Sequence, residues 1–152
     1  MTNQKNKNTM SKQLLLKIVT PEKVILEELV DQVTIPTTEG EITVLPDHIP
    51  LVAILGKGDI VAKVNGEDVP FVAVGGFIRV IGDEVAVMAD FAEYVASITD
   101  YDIEKAKAHA KELQEQFDKK EIVDFEHFAS ELERSITRTR IADKWKSKKY
   151  RR

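Results

Sequence analysis

Residues 40–52 read GEITVLPDHIPLV. A strand-like run breaks at Pro46-Asp47-His48, and apolar residues resume at once. The corner sets a histidine beside a carboxylate, the pairing that general acid–base or metal chemistry would draw on. No further histidine or acid stands at ligand spacing within it. His109 and His127 lie far along the chain, in segments of helical period. One imidazole and one carboxylate make a poor metal site. A plain turn, or a shaped loop that another protein touches, therefore outweighs catalysis by His48. Other chemistry-bearing patterns are missing. There is no Ser/His/Asp signature, no Walker loop and no GxGxxG. Gly75-Gly76 precedes a strand, so it cannot offer a helix N-terminus to a phosphate. Two glycines at a strand entry indicate a bulge or a close backbone approach.

The C-terminal end carries a different signal. From Arg134 to Arg152 there are nine Lys or Arg against one acid, Asp143. The chain before it is acidic on balance, with a net charge of −4 overall. Such asymmetry points to a basic arm with an anionic partner. Trp145 and Tyr150 stand among the cations, where aromatics can stack on nucleic-acid bases. An acidic protein surface is an equal candidate. So is a solvated helix end, whose cations suit the C-terminal pole of the helix dipole.

These groups must be positioned by two kinds of element. From Leu14 to Ala89 the hydrophobic period is two. Leu14, Leu16 and Ile18 alternate with Leu15, Lys17 and Val19. Val33 and Ile35, Ile42 and Val44, and Ile60, Ala62 and Val64 repeat the pattern. Phe77, Arg79 and Ile81 share one face while Ile78 and Val80 share the other; Val85, Val87 and Ala89 complete the set. Breakers at Pro21, Gly40, Pro46-Asp47, Gly56, Asn65-Gly66 and Gly82 separate the runs. Asn65-Gly66 suits a tight hairpin, because both residues tolerate positive φ. Short strands at this spacing predict an antiparallel sandwich or barrel, and with no helix between them a parallel sheet is disfavoured.

After Thr99 the period becomes helical. Thr99 and Asp102 can form a capping box. Ile103, Ala106, Ala110, Leu113 and Phe117 make one apolar stripe. Asp124 can cap a second helix, whose stripe is Phe125, Phe128, Leu132, Ile136 and Thr139. The short connection implies an antiparallel hairpin. The fold class is thus an N-terminal antiparallel β-sandwich followed by a C-terminal antiparallel two-helix hairpin. The expected divisions are a disordered tail at 1–12, a sandwich at 13–98, a helical hairpin at 99–143 and a basic tail at 144–152. Met10 is an alternative start. There is no cysteine, which excludes disulfides and thiolate metal sites. No window holds the ~18 apolar residues of a membrane helix, and the polar start is no secretory signal.

GEITVLPDHIPLV resembles the G-E-x-x-x-L-P-G-H-x-P-L segment of the epsilon subunits of F-type ATP synthases. VAVGGFIRVIGDEVAVMAD is similar to the G-G-F strand of the same family and its L-A-D ending. The resemblance covers roughly residues 14–141, with Asp47 where glycine is usual and Met88 where leucine is common. It implies a non-catalytic rotor subunit of the bacterial type, at the cytoplasmic face of the cell membrane and not inserted in it. The implied partners are the gamma subunit, the c ring and the catalytic beta subunits, with no nucleic acid. The implied role is to couple ion flow to rotation, with the corner of Glu41, Asp47 and His48 as part of the rotor contact. In this family the hairpin permits hydrolysis when folded on the sandwich and inhibits it when extended. Arg134, Arg138, Arg140 and Lys144 would then face acidic segments of the beta subunits. Some bacterial members bind ATP through an I/L-D-x-x-R-A motif. Its counterparts here are Tyr101, Asp102, Lys105 and Ala106, with Glu93 before them and Arg134 and Arg138 on the second helix. Lysine in place of arginine keeps the charge but loses the planar fork. No cofactor is required, and ATP is expected at most as a regulatory ligand. The reading from another class is a nucleic-acid-binding module that uses the basic C-terminal helix.

Overall fold

The computed structural model describes residues 12–119 and 124–149. Most of the expected N-terminal tail, Met10 included, and Tyr150 to Arg152 lie outside these residues. The strands are β1 (Leu14–Val19), β2 (Val24–Val30), β3 (Gln32–Thr37), β4 (Gly40–Val44), β5 (Leu51–Ile54), β6 (Lys57–Val64), β7 (Glu67–Ile81) and β8 (Glu84–Tyr94). A 3-10 turn at Val95–Ser97 leads to helices α1 (Asp100–Asp118) and α2 (Phe125–Lys149). The fold class is the one the two periods predict, a β-sandwich followed by two helices.

The strands run in the order β2-β1-β8-β7-β6-β3-β4, with β5 paired to β7 off this path. All pairings are antiparallel except β1 with β8, which is parallel in the register Leu15↔Glu84 to Val19↔Met88. No crossover helix is needed, because the whole sandwich forms the connection between these strands. β2 and β5, which the period did not mark, each pair on one side only. In β5 burial does alternate, but the exposed positions, Val52 and Ile54, are apolar as well, so the sequence LVAI shows no period.

β7 serves both layers. Its first half pairs with β6 and its second half with β5, and the change falls at Gly75-Gly76. The glycines are thus in mid-strand and not at a strand entry, and the close backbone approach is there. At Gly76, φ is +121° and an added Cβ would lie 2.0 Å from the Met88 carbonyl oxygen. Asn65-Gly66 forms the expected tight hairpin, with φ of 52° and 81° and Val64 paired to Glu67.

The main core is inside the sandwich, with Leu14, Leu16, Ile18, Ile35, Ile60, Ile78 and Val87 fully buried. α1 opens with the complete Thr99–Asp102 capping box. α2 opens with the Asp124 carboxylate accepting from the His127 backbone N–H at 3.2 Å. The helices lie antiparallel, with Phe117 stacked on Phe128 at 5.7 Å between ring centroids and Lys107 paired with Asp143.

The expected stripe of α2 is only partly the buried one. Phe128 is buried but Ile136 is half exposed, while Thr137, Ile141 and Ala142 are buried. The physical reason is that α2 packs on the sandwich as well as on α1, so it buries a second row. It also runs on as helix through Lys144 to Lys149, residues expected to begin a tail.

Candidate functional site

The corner is held open by its own backbone. Asp47 takes φ of +66°, a conformation that aspartate tolerates better than most residues. Its carboxylate is ion-paired with Lys12, which also reaches Asp83 at 3.5 Å. Contact with Asp47 outweighs the loss of hydration and raises the affinity of Lys12 for its proton. His48 does not meet Asp47. Its Nδ1 lies 2.7 Å from the Ile49 carbonyl, which can only accept, so Nδ1 carries a proton and donates. Glu41 is exposed on β4, with no ion pair among the described residues. Leu45 and Ile49 flank the corner and are exposed. No described group stands ready to activate a nucleophile there, and the corner is an exposed loop with its backbone turned at Asp47.

The second group of residues lies where the hairpin docks. Arg138 of α2 grips Glu93 of β8 with both arms of its fork, Nε to Oε2 at 2.6 Å and a terminal nitrogen to Oε1 at 2.9 Å. The hydrogen bond to Glu93 makes the guanidinium more basic than usual, against the opposing effect of burial. Asp102 stands close by. Hydrogen bonds from the Thr99 side chain and backbone, with the fields of Arg138 and Lys105, hold its carboxyl below the usual aspartate range. Arg134 stacks over Phe91 at 5.6 Å. Ala106 is buried. Lys105 points outward and has no ion pair among the described residues. The fold therefore brings Glu93, Asp102 and Arg138 together, with Arg134 and the outward-pointing Lys105 at the margin.

The remaining cations separate. Arg140 is exposed beside a groove lined by Phe117, Ile136 and Lys57. Lys144 reaches Asp59 of β6 at 2.8 Å, and Trp145 Nε1 donates to the same oxygen at 2.8 Å. Asp59 is only 8% exposed. Sequence reasoning missed it; the available signal was a lone acid within the strand KGDIVAKV. Burial alone would push its carboxyl up, but the hydrogen bonds from Lys144 and Trp145 outweigh this and hold it below the usual range. Trp145 is half-buried against a small apolar cluster that includes Val72, Val95, Ile98, Ile141 and Ala142. The ammoniums of Lys144 and Lys148 lie over its ring. The indole is therefore not an open platform for bases.

A third feature is apolar. On the outer face of one layer, Ile54, Phe77 and Met88 form a cross-strand row. Phe77 is 57% exposed, and Val52 and Ile81 extend the patch. Ile78 and Val80, the alternate residues, are in the core. Arg79, opposite Val52, breaks the patch between Phe77 and Ile81, so its apolar centre is the row of Ile54, Phe77 and Met88.

Comparison with known proteins agrees with this arrangement. A family model described as the ATP synthase delta/epsilon chain beta-sandwich domain matches residues 13–95. The ATP synthase epsilon chain of Nitratidesulfovibrio vulgaris is 39% identical over 132 residues, covering 87% of this chain and 97% of that protein. The epsilon chain of Halalkalibacterium halodurans is 41% identical over 133 residues, covering 85% and 96%. Among solved structures, a chain of the Euglena gracilis mitochondrial ATP synthase (OSCP/F1/c-ring) has a TM-score of 0.59 and 25% identity, covering 89% of this chain and 80% of its own. A chain of the Tetrahymena thermophila mitochondrial ATP synthase central stalk and c ring shares the fold, with a TM-score of 0.52 and 14% identity over 88% and 96%.

Proposed function

The chain belongs to the ATP synthase epsilon chain family, and from that premise we propose that it links the gamma subunit to the c ring and restrains ATP hydrolysis through its C-terminal helices. It is an accessory stalk subunit, not itself a catalyst. The observation that carries the proposed linkage is the exposed row of Ile54, Phe77 and Met88. These side chains extend outward from the second half of β7 and its neighbours, while α2 packs on β6 and on β7 around Val72. We assign this face to the gamma subunit, and the corner of Glu41, Asp47 and His48 to the c ring. The protein then works at the cytoplasmic face of the cell membrane, held there by its partners. None of its described helices is long and apolar enough to cross a membrane.

The structure has the hairpin folded on the sandwich, with Arg138 and Lys144 bound to Glu93 and Asp59. In the regulatory reading, an extended hairpin would present Arg134, Arg138, Arg140 and Lys144 to acidic surfaces of the beta subunits. Nucleotide regulation is assigned to the convergence of Glu93, Asp102 and Arg138. The linkage is tested by reconstitution with the gamma subunit. A charge at the centre of the patch, in Phe77→Asp, should weaken the complex at least ~100-fold, the loss expected for a buried aromatic anchor. Lys105→Ala should leave it unchanged. Equal binding by Phe77→Asp would remove this face as the interface.

A further inference from the structure

We propose that Asp59, Lys144 and Trp145 form a latch that lets α2 be either fully seated in one register or fully released. Asp59 lies in β6 with its side chain 10% exposed. Its carboxylate accepts side-chain hydrogen bonds from Lys144 and Trp145, both in the last turns of α2. The helix therefore hides the carboxylate and also supplies the groups that make hiding it tolerable. A buried carboxylate without partners is costly, and removing one member of a buried pair is worse than removing both.

Partial docking is thus penalised. If α2 slid by one turn, it would still cover apolar surface, but it would leave Asp59 dry and unpaired. Full release returns water to Asp59 and to Lys144, so the open state carries no such penalty. Nearer the middle of α2, Arg138 grips Glu93 of β8, each side chain 25% exposed, whereas Lys57–Glu133 at 3.0 Å joins side chains 60% and 43% exposed. Surface pairs of the second kind contribute little. The apolar seat under Trp145 favours burial but is indifferent to register; the directional bonds to Asp59, together with the Arg138–Glu93 pair, select one position.

Trp145 is the only tryptophan in the chain, so its fluorescence reports the seat directly in the full-length protein. Lys144→Met retains the stem of the side chain and removes the cation. It should raise the released fraction about tenfold, equivalent to about 1.4 kcal/mol. This would be read as red-shifted Trp145 emission, stronger acrylamide quenching and faster amide exchange in the last turns of α2. Adding Asp59→Asn should restore the seated signal, because the uncompensated charge is gone. An unchanged signal in Lys144→Met would overturn the latch. A released double variant would also overturn it, since the effect would then not pass through Asp59. The consequence for hydrolysis rests on the regulatory reading above. In the assembled complex, Trp145→Phe, which removes the other donor to Asp59 and leaves Lys144 in place, should lower ATP hydrolysis. Release of α2 in this variant, read by amide exchange, without a change in hydrolysis would leave the latch standing and refute that regulatory reading.

Discussion

Arg138 is the residue on which ligand regulation turns. Its fork is already held by Glu93 through two hydrogen bonds. A guanidinium has five N–H donors, so an incoming phosphate can take those left over or displace Glu93. Lys105, exposed and unpaired among the described residues, can add only a point charge. Mg-ATP should therefore bind one-to-one, and Arg138→Ala should weaken it about tenfold, the loss of roughly one charge-assisted hydrogen bond. Calorimetry that shows no saturable heat up to millimolar nucleotide would sink this reading. The motif residues were legible in the sequence at this scale. Asp59 was not, because its partner Lys144 is 85 residues further along the chain, and nothing local marks an acid whose cover arrives from a distant helix.

At the scale of elements, β7 is the piece on which the sandwich depends. It can serve β6 and β5 in turn because Gly76 combines positive φ with a backbone contact that leaves no room for a side chain. Gly76→Ala should destabilise the sandwich by about 3 kcal/mol or more, through strain and a clash with immovable backbone. Urea unfolding checks this, and a loss under ~1 kcal/mol would mean that the strand can shift to relieve the contact. The glycine pair was legible as a close approach, but its mid-strand position was not, since a strand crossing two layers has no signature in a period of two. The Thr99–Asp102 box and the Asn65-Gly66 turn were read directly, because both are complete within four residues of chain or fewer. The second buried row of α2, with Thr137 and Ala142, was hidden because small and polar residues carry it.

For the whole molecule, the sandwich and hairpin are held together by one small apolar cluster and a few charged ties, and pH acts on those ties. Asp59 titrates below the usual aspartate value near 3.8 in the folded chain. Its contribution is therefore present above that value and is lost as pH falls through the lowered one. Trp145 emission should stay constant from neutrality down to about pH 4.5 and change only in stronger acid. A transition near pH 6 would instead remove Asp59 as the group in control. The overall division into sheet and hairpin was legible from the change of period alone; how the two meet was not, because the seat is built from Val72 and Val95 on one side and Ile141 and Ala142 on the other. The parallel pairing of β1 with β8 has a consequence for biogenesis. Once made, β1 cannot take its β8 neighbour until almost all of the sandwich has followed it. Such long-range closure is slow compared with local helix formation. The helices are made after the sandwich, so their seat on β7 and β8 is completed just ahead of them, and synthesis assembles these surfaces in the order in which they are needed.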